Sequence, residues 1–185
     1  MNNENASERL ASDGARAPSP VPRAKPALAA YRRNLPHLQV PGKPQFITFV
    51  TWKRWLLPEE VRAMVLHHCL HDHGTKYQLH AAVIMPDHVH VLLTPLTDAN
   101  GDTFGLAEIL QAIKSTSARN INRALGRSGR VWQEESFDTM LRSGESIRQK
   151  AEYICANPVR AGLAAHEEDY RWIWREWVEG PREDE

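Results

Sequence analysis

The sequence predicts an α+β fold: a ferredoxin-like split β-α-β with an antiparallel sheet, plus one more helix at the C-terminal side. Three observations carry that prediction. Strand-like and helix-like patterns follow one another in the order β-α-β-β-α-β-α along residues 46–156. Two of the strand-like runs, 77–86 and 88–95, meet at a tight Pro86–Asp87 turn, which joins them as neighbours. Between residues 106 and 125, Ile109, Leu110, Ile113, Ile121 and Leu125 keep a helical stripe.

The elements follow in chain order. Residues 1–34 are rich in Ala, Pro, Ser, Asn and Arg and have no sustained apolar period. They read as a disordered Pro/Ala-rich tail, unable to offset the entropy of ordering. A single domain is expected over 35–178 and a short acidic tail over 179–185. FITFVTW at 46–52 is aromatic and β-branched, a strand signature. Pro58, Glu59 and Glu60 open a helix that Gly74 closes, with Val61, Val65, Leu66, Cys69 and Leu70 at helical spacing. After the hairpin and the second helix, VWQEESFDTML at 131–141 reads as a fourth strand. A third helix over 145–156 is expected to stop at Asn157–Pro158. Tyr170, Trp172, Trp174 and Trp177 read as a segment packed over the core.

Composition narrows the function classes. The chain has 185 residues, 42% hydrophobic and 25% charged, an ordinary globular balance. Two distant cysteines, Cys69 and Cys155, exclude a disulfide scaffold and a cysteine-built zinc site. No apolar run approaches a membrane span, and the start, MNNENASERL, is no secretory signal. Net charge is zero, yet residues 103–133 hold five bases (Lys114, Arg119, Arg123, Arg127 and Arg130) against the one acid Glu108. Residues 143–185 hold six bases and ten acids. A basic middle permits a local phosphate-binding surface, and equally describes a solvated helix face.

The chemistry-bearing pattern is His88-Val89-His90 within a strand. Strand side chains alternate faces, so the two imidazoles project side by side, at a spacing that suits two ligands of one divalent metal. Alone, the triplet reads first as two half-exposed strand histidines. The helix at 145–156 adds Tyr153 and, four residues on, Asn157. An amide carbonyl can serve a hard cation, and a tyrosine oxygen is a known covalent nucleophile. Packing for Tyr153 and a helix stop for Asn157 are the simpler roles.

Together these pieces resemble a family. MPDHVHVLL at 85–93 is similar to the His-hydrophobic-His strand of the HUH single-tyrosine transposases, the IS200-like group. AEYICANPVRAGL at 151–163 resembles their catalytic helix, closest to the REP-associated tyrosine transposases. RRNLPH at 32–37 and GRVWQEESFD at 129–138 resemble connecting segments of the same group, so the likeness runs unbroken over about 32–165. The run Phe137-Asp138-Thr139 departs from it, where the family often has a histidine.

The resemblance implies a ferredoxin-like fold with a C-terminal catalytic helix. His88, His90 and Asn157 would bind Mg²⁺ or Mn²⁺, and Tyr153 would be the nucleophile. The activity implied is cleavage and rejoining of single-stranded DNA beside hairpin repeats through a 5′-phosphotyrosine, by a monomer or a homodimer in the bacterial cytoplasm. Lys53, Arg54, Lys114, Arg119, Arg123, Arg127 and Arg130 would track the DNA backbone, with Arg32 and Arg33 as minor contributors. Two other functions fit the residues: a silent hairpin-binding module, and a metal-dependent phosphodiesterase that uses water. Several neighbours read as bystanders. His67, His68, His71 and His73 read as a solvated or partly packed helix face, Glu134–Glu135 as a turn surface, Tyr77 and Tyr170 as packing residues, and Cys155 as core.

Overall fold

The computed structural model describes residues 40–177. The element order is β1 (Gln45–Thr51), α1 (Glu59–Leu70), β2 (Tyr77–Ile84), β3 (His88–Pro95), α2 (Leu106–Ala124), β4 (Trp132–Met140), α3 (Ile147–Cys155), α4 (Asn157–Arg160) and β5 (Ile173–Arg175). The expected α+β class and antiparallel sheet are therefore present. The sheet order is β4-β1-β3-β2-β5, and every pairing is antiparallel. The expected tails at 1–34 and 179–185, both ends of the expected domain, and Arg32 and Arg33 lie outside the described residues.

The alternation of β3 divides the molecule. Val89, Val91 and Leu93 are fully buried on one face, with Ile47 and Phe49 of β1 beside them. Helices α1 and α2 cover that face, sealing it with Val61, Val65, Cys69, Ile109, Ile113 and Ile121. His88 and His90 point to the other face, level with Val50 and Thr48 of β1. Helix α3 packs on β2 and β3 on this second side through Ala151 and Ile154. Its Lys150 ammonium lies 5.0 Å from the ring of Phe46, and that ring is 5.6 Å from His90.

Three expectations need correction. The C-terminal aromatic segment does more than pack: Tyr170 and Trp172 are buried, but residues 173–175 then add a fifth strand to the edge of β2. Glu176 clamps that strand, with its backbone N–H donating to the His80 carbonyl and its carboxylate held by His80 and Gln78. Helix α3 does stop before Asn157–Pro158, at Cys155, but helical structure resumes at once in α4. The chain bends at Ala156 and starts a new turn, where Pro158 sits at the tolerated first positions. Glu134 and Glu135 belong to strand β4 rather than to a turn. Three bystander readings hold: Tyr77 donates to the Cys69 carbonyl, Tyr170 donates to the Ile84 carbonyl, and Cys155 is buried.

On the helix-covered face the indole N–H of Trp132 donates to the buried Ser117 hydroxyl at 2.9 Å, and that hydroxyl donates to the Ile113 carbonyl at 2.7 Å. Ser117→Ala leaves the indole N–H buried without a partner. The expected cost is about 1–3 kcal/mol, read as a lowered denaturation midpoint with an unchanged denaturant slope.

Candidate active site on the open face of the sheet

His88 and His90 are brought together, with Nε2 atoms 3.1 Å apart. Each ring is pinned from behind. His88 Nδ1 lies 2.6 Å from the Asp87 carboxylate, and His90 Nδ1 lies 2.8 Å from the Thr48 hydroxyl. A carboxylate only accepts, so His88 donates to it from Nδ1, which leaves Nε2 directed at His90. The Thr48 hydroxyl can donate or accept, so it suits either tautomer of His90. Burial first, then the neighbouring His88 and Arg160, push the His90 pKa down to about 4, so the ring is neutral at physiological pH.

Asp87 is the hub of this corner. Burial alone would raise its pKa, but hydrogen bonds from His88 and Arg54 outweigh that and hold it below the usual value. Arg54 Nη1 donates to it at 3.0 Å. Its backbone carbonyl accepts from both the N–H and the hydroxyl of Thr51. The link after β1 turns sharply here, with Lys53 and Arg54 both in the left-handed region at φ 54° and 57°. Each such residue costs roughly 1–2 kcal/mol. The hydrogen bonds of Trp52 N–H to Val131, Leu57 N–H to Pro86, and Arg54 to Asp87 hold the turn in place.

Tyr153 and Asn157 fall on two short helices, α3 and α4, and Arg160, to which the 151–163 motif lent no role, joins them. Arg160 Nη2 donates to the Tyr153 carbonyl and to Asn157 Oδ1, each at 2.8 Å. The Arg160 guanidinium lies over the Tyr153 ring, 4.1 Å from its centroid, and Lys150 Nζ lies 5.6 Å from the same centroid. The Asn157 amide also donates to the Ile154 carbonyl. The Tyr153 side is open, 56% exposed, unlike Tyr77 and Tyr170 in the core. This cluster shares the sheet face of the histidines, because Lys150 bridges the Tyr153 and Phe46 rings and Phe46 adjoins His90.

The expected basic set splits in two. Lys53, Arg54, Arg127 and Arg130 gather near the Asp87 corner. Arg127 stacks on Trp55 at 3.9 Å and Arg130 on Trp52 at 5.0 Å. Arg119 and Arg123 are exposed on α2, the helix on the opposite side of the sheet. Lys114 departs most from its expected role. It points at β4, donating to the Glu134 carbonyl and the Ser136 hydroxyl, and burial pushes its pKa down to about 8. Of the four histidines expected on one helix face only His67 and His68 lie in α1: His68 pairs with Asn120 of α2, while beyond the helix end His71 pairs with Asp72 and His73 accepts from the Leu79 N–H. Among the described residues no three His, Cys, Asp or Glu side chains cluster as a metal set.

A family model described as IS200-like transposase matches residues 43–157. Transposases are enzymes that act on DNA. Because the match spans more than half of the chain, this protein belongs to the IS200-like transposase family. Its fold is shared with a REP-associated tyrosine transposase solved bound to a REP hairpin, at 21% identity and TM-score 0.55, covering 79% of this chain and 82% of that one. A Deinococcus radiodurans R1 protein described as a transposase matches at 22% identity and TM-score 0.43, covering 60% and 88%. A bacterial tRNA(His) guanylyltransferase-like protein in complex with GTP matches at 12% identity and TM-score 0.46, covering 78% and 80%. No curated protein matches. Among the described residues no helix is long and apolar enough to cross a membrane.

The depressed Lys114 has a measurable consequence. In the fold its amine loses its proton near pH 8, against 10.5 when unfolded, so between those values the unfolded chain holds the extra proton. Stability therefore rises with pH across that window, by about 1–3 kcal/mol. Lys114→Met is expected to flatten this rise in urea melts from pH 7.5 to 10.5.

Proposed function

We propose that this chain is a metal-assisted strand transferase for single-stranded DNA, cutting and rejoining beside a hairpin repeat through Tyr153. One observation carries the reading. Two imidazoles with Nε2 atoms 3.1 Å apart, each held by its other nitrogen, share a sheet face with an exposed tyrosine. The donor set fits a divalent cation. Adjacent ligands of an octahedral ion, each about 2.1 Å from it, sit about 3 Å apart, and ligating histidines are held in this way through the other ring nitrogen. His88 and His90 would hold Mg²⁺ or Mn²⁺, and Asn157 Oδ1 is the candidate third ligand, its carbonyl having a second lone pair besides the one facing Arg160. Such an ion, when bound, supplies Lewis-acid polarisation of a phosphoryl oxygen.

This chain's residues do the rest. Tyr153 Oη forms the bond to phosphorus while the bond from phosphorus to O3′ breaks. The phenolic proton passes to solvent, and O3′ takes one up to leave as a 3′-hydroxyl. The phosphotyrosine keeps the bond energy, so attack by another 3′-hydroxyl reverses the step without ATP. Arg54, Arg127 and Arg130, with the indoles of Trp52 and Trp55, form a basic, aromatic approach to the Asp87 corner, suited to a backbone and unpaired bases. The relative solved with a REP hairpin supports hairpin DNA as the substrate class. The protein would act on the chromosome in the bacterial cytoplasm.

The deciding experiment is a denaturing gel of labelled hairpin DNA, taken from palindromic repeats flanking the gene, with Mn²⁺ and wild-type, Tyr153→Phe or His88→Ala protein. Label at protein mass, lost in both variants, is the expected result. Cleavage that persists in Tyr153→Phe would make water the nucleophile, and tight binding without cleavage would make the protein a binding module. A second test separates the basic residues. Arg127→Ala and Arg130→Ala are each expected to shallow the slope of log affinity against log salt by about 0.7 on single strands. Lys114→Met, already committed to β4, should leave the slope unchanged.

A further inference from the structure

Of the two cations that lie over the Tyr153 ring, Arg160 is the nearer, and its hydrogen bonds leave part of it unused. Both Nη2 hydrogens go to the Tyr153 carbonyl and Asn157 Oδ1. Among the described residues, no acceptor is paired with its Nε or Nη1 hydrogens, and the side chain is exposed. A guanidinium has five N–H donors in a rigid plane. Two of them fix this plane against α3 and α4, leaving three directed elsewhere on a group that lies over the Tyr153 ring. The attacked phosphorus must sit about 3–3.5 Å from the tyrosine oxygen at the start of the reaction. Its anionic oxygens then come within reach of that guanidinium.

We infer that Arg160 binds the scissile phosphate directly, as a catalytic residue that holds a non-bridging oxygen while its Nη2 edge keeps Tyr153 and Asn157 in place. This inference rests on the strand-transfer reading and names the group that grips the substrate. A purely structural Arg160 would cap the last carbonyls of α3 and nothing more. Lys150 is the nearest rival, but its ammonium stands further from the tyrosine ring and is shared with Phe46.

The test is a chemical double-mutant cycle on binding, run in EDTA so that no metal contributes. The protein carries Tyr153→Phe to keep the probe intact. The probe is the hairpin oligonucleotide that wild type converts to a covalent adduct, with either the native phosphodiester or a neutral methylphosphonate at the mapped cleavage position. Neutralising that one phosphate is expected to weaken binding about 10-fold or more. With Arg160→Ala the two probes should bind alike, and with Arg160→Lys the penalty should be intermediate, because an ammonium keeps the charge but loses the planar fork. A structural role alone would lower affinity for both probes equally and leave the penalty intact, which would overturn the inference. A penalty abolished by Lys150→Ala and kept by Arg160→Ala would overturn it too. If Arg160→Ala does not fold, Arg160→Lys decides by the same ratio: a penalty equal to that of the parent overturns the inference. Failure of wild type to form an adduct on any hairpin probe would instead sink the strand-transfer reading, and Arg160's role with it.

Discussion

The hairpin turn at Asp87 is the point on which the site depends. Its carboxylate holds His88 from behind and draws in Arg54 across the gap. Its carbonyl closes on Thr51, fixing the end of β1 against the start of β3. One residue thus orients a candidate metal ligand and ties the end of one central strand to the start of the next. It also anchors a backbone turn that two left-handed residues make costly. Strain in the link is affordable only because the corner around it is so heavily hydrogen-bonded. Asparagine here would keep the shape and lose the charge that steadies Arg54 and the His88 proton.

The sheet divides the labour between its faces. One face is closed by α1 and α2 and contains the apolar mass of the core. The other is only partly covered by α3, which leaves the imidazole pair and the Tyr153 ring near solvent. Such an arrangement gives precision without a deep pocket: the ligating side chains stand on a central strand, where neighbours on both sides restrain the backbone. The tyrosine stands on a short helix that meets the sheet through Ala151 and Ile154, with cationic side chains packed around its ring.

What was legible in the sequence was periodic. The strand holding His88 and His90 shows both its ends in the sequence, because alternation and the turn before it bound it. The helix from Leu106 lost only its final residue, and the pairing of the two histidines followed from a period of two. Contacts made across the fold were not legible. Thr48 supports His90 only because β1 and β3 align antiparallel in one register, a fact with no local signal. Arg160 reaches Tyr153 because the chain bends at Ala156 and starts α4, whereas Asn157–Pro158 suggested an end. Lys114 looked like one of a basic row, yet its helix angle aims it at β4, where the Glu134 carbonyl takes it up. The fifth strand is three residues long, too short for alternation to show.

That short strand guards more than it contributes. Without it, the outer edge of β2 would be bare: a run of eight residues, nearly all buried, with its ladder groups unpaired. An open, apolar edge of this kind is a template for pairing with another sheet. Trimming the chain before Tyr170 would therefore not produce a smaller working protein. It would produce one inclined to stack with its own copies, which makes the tryptophan-rich end a safeguard of solubility as well as a part of the fold.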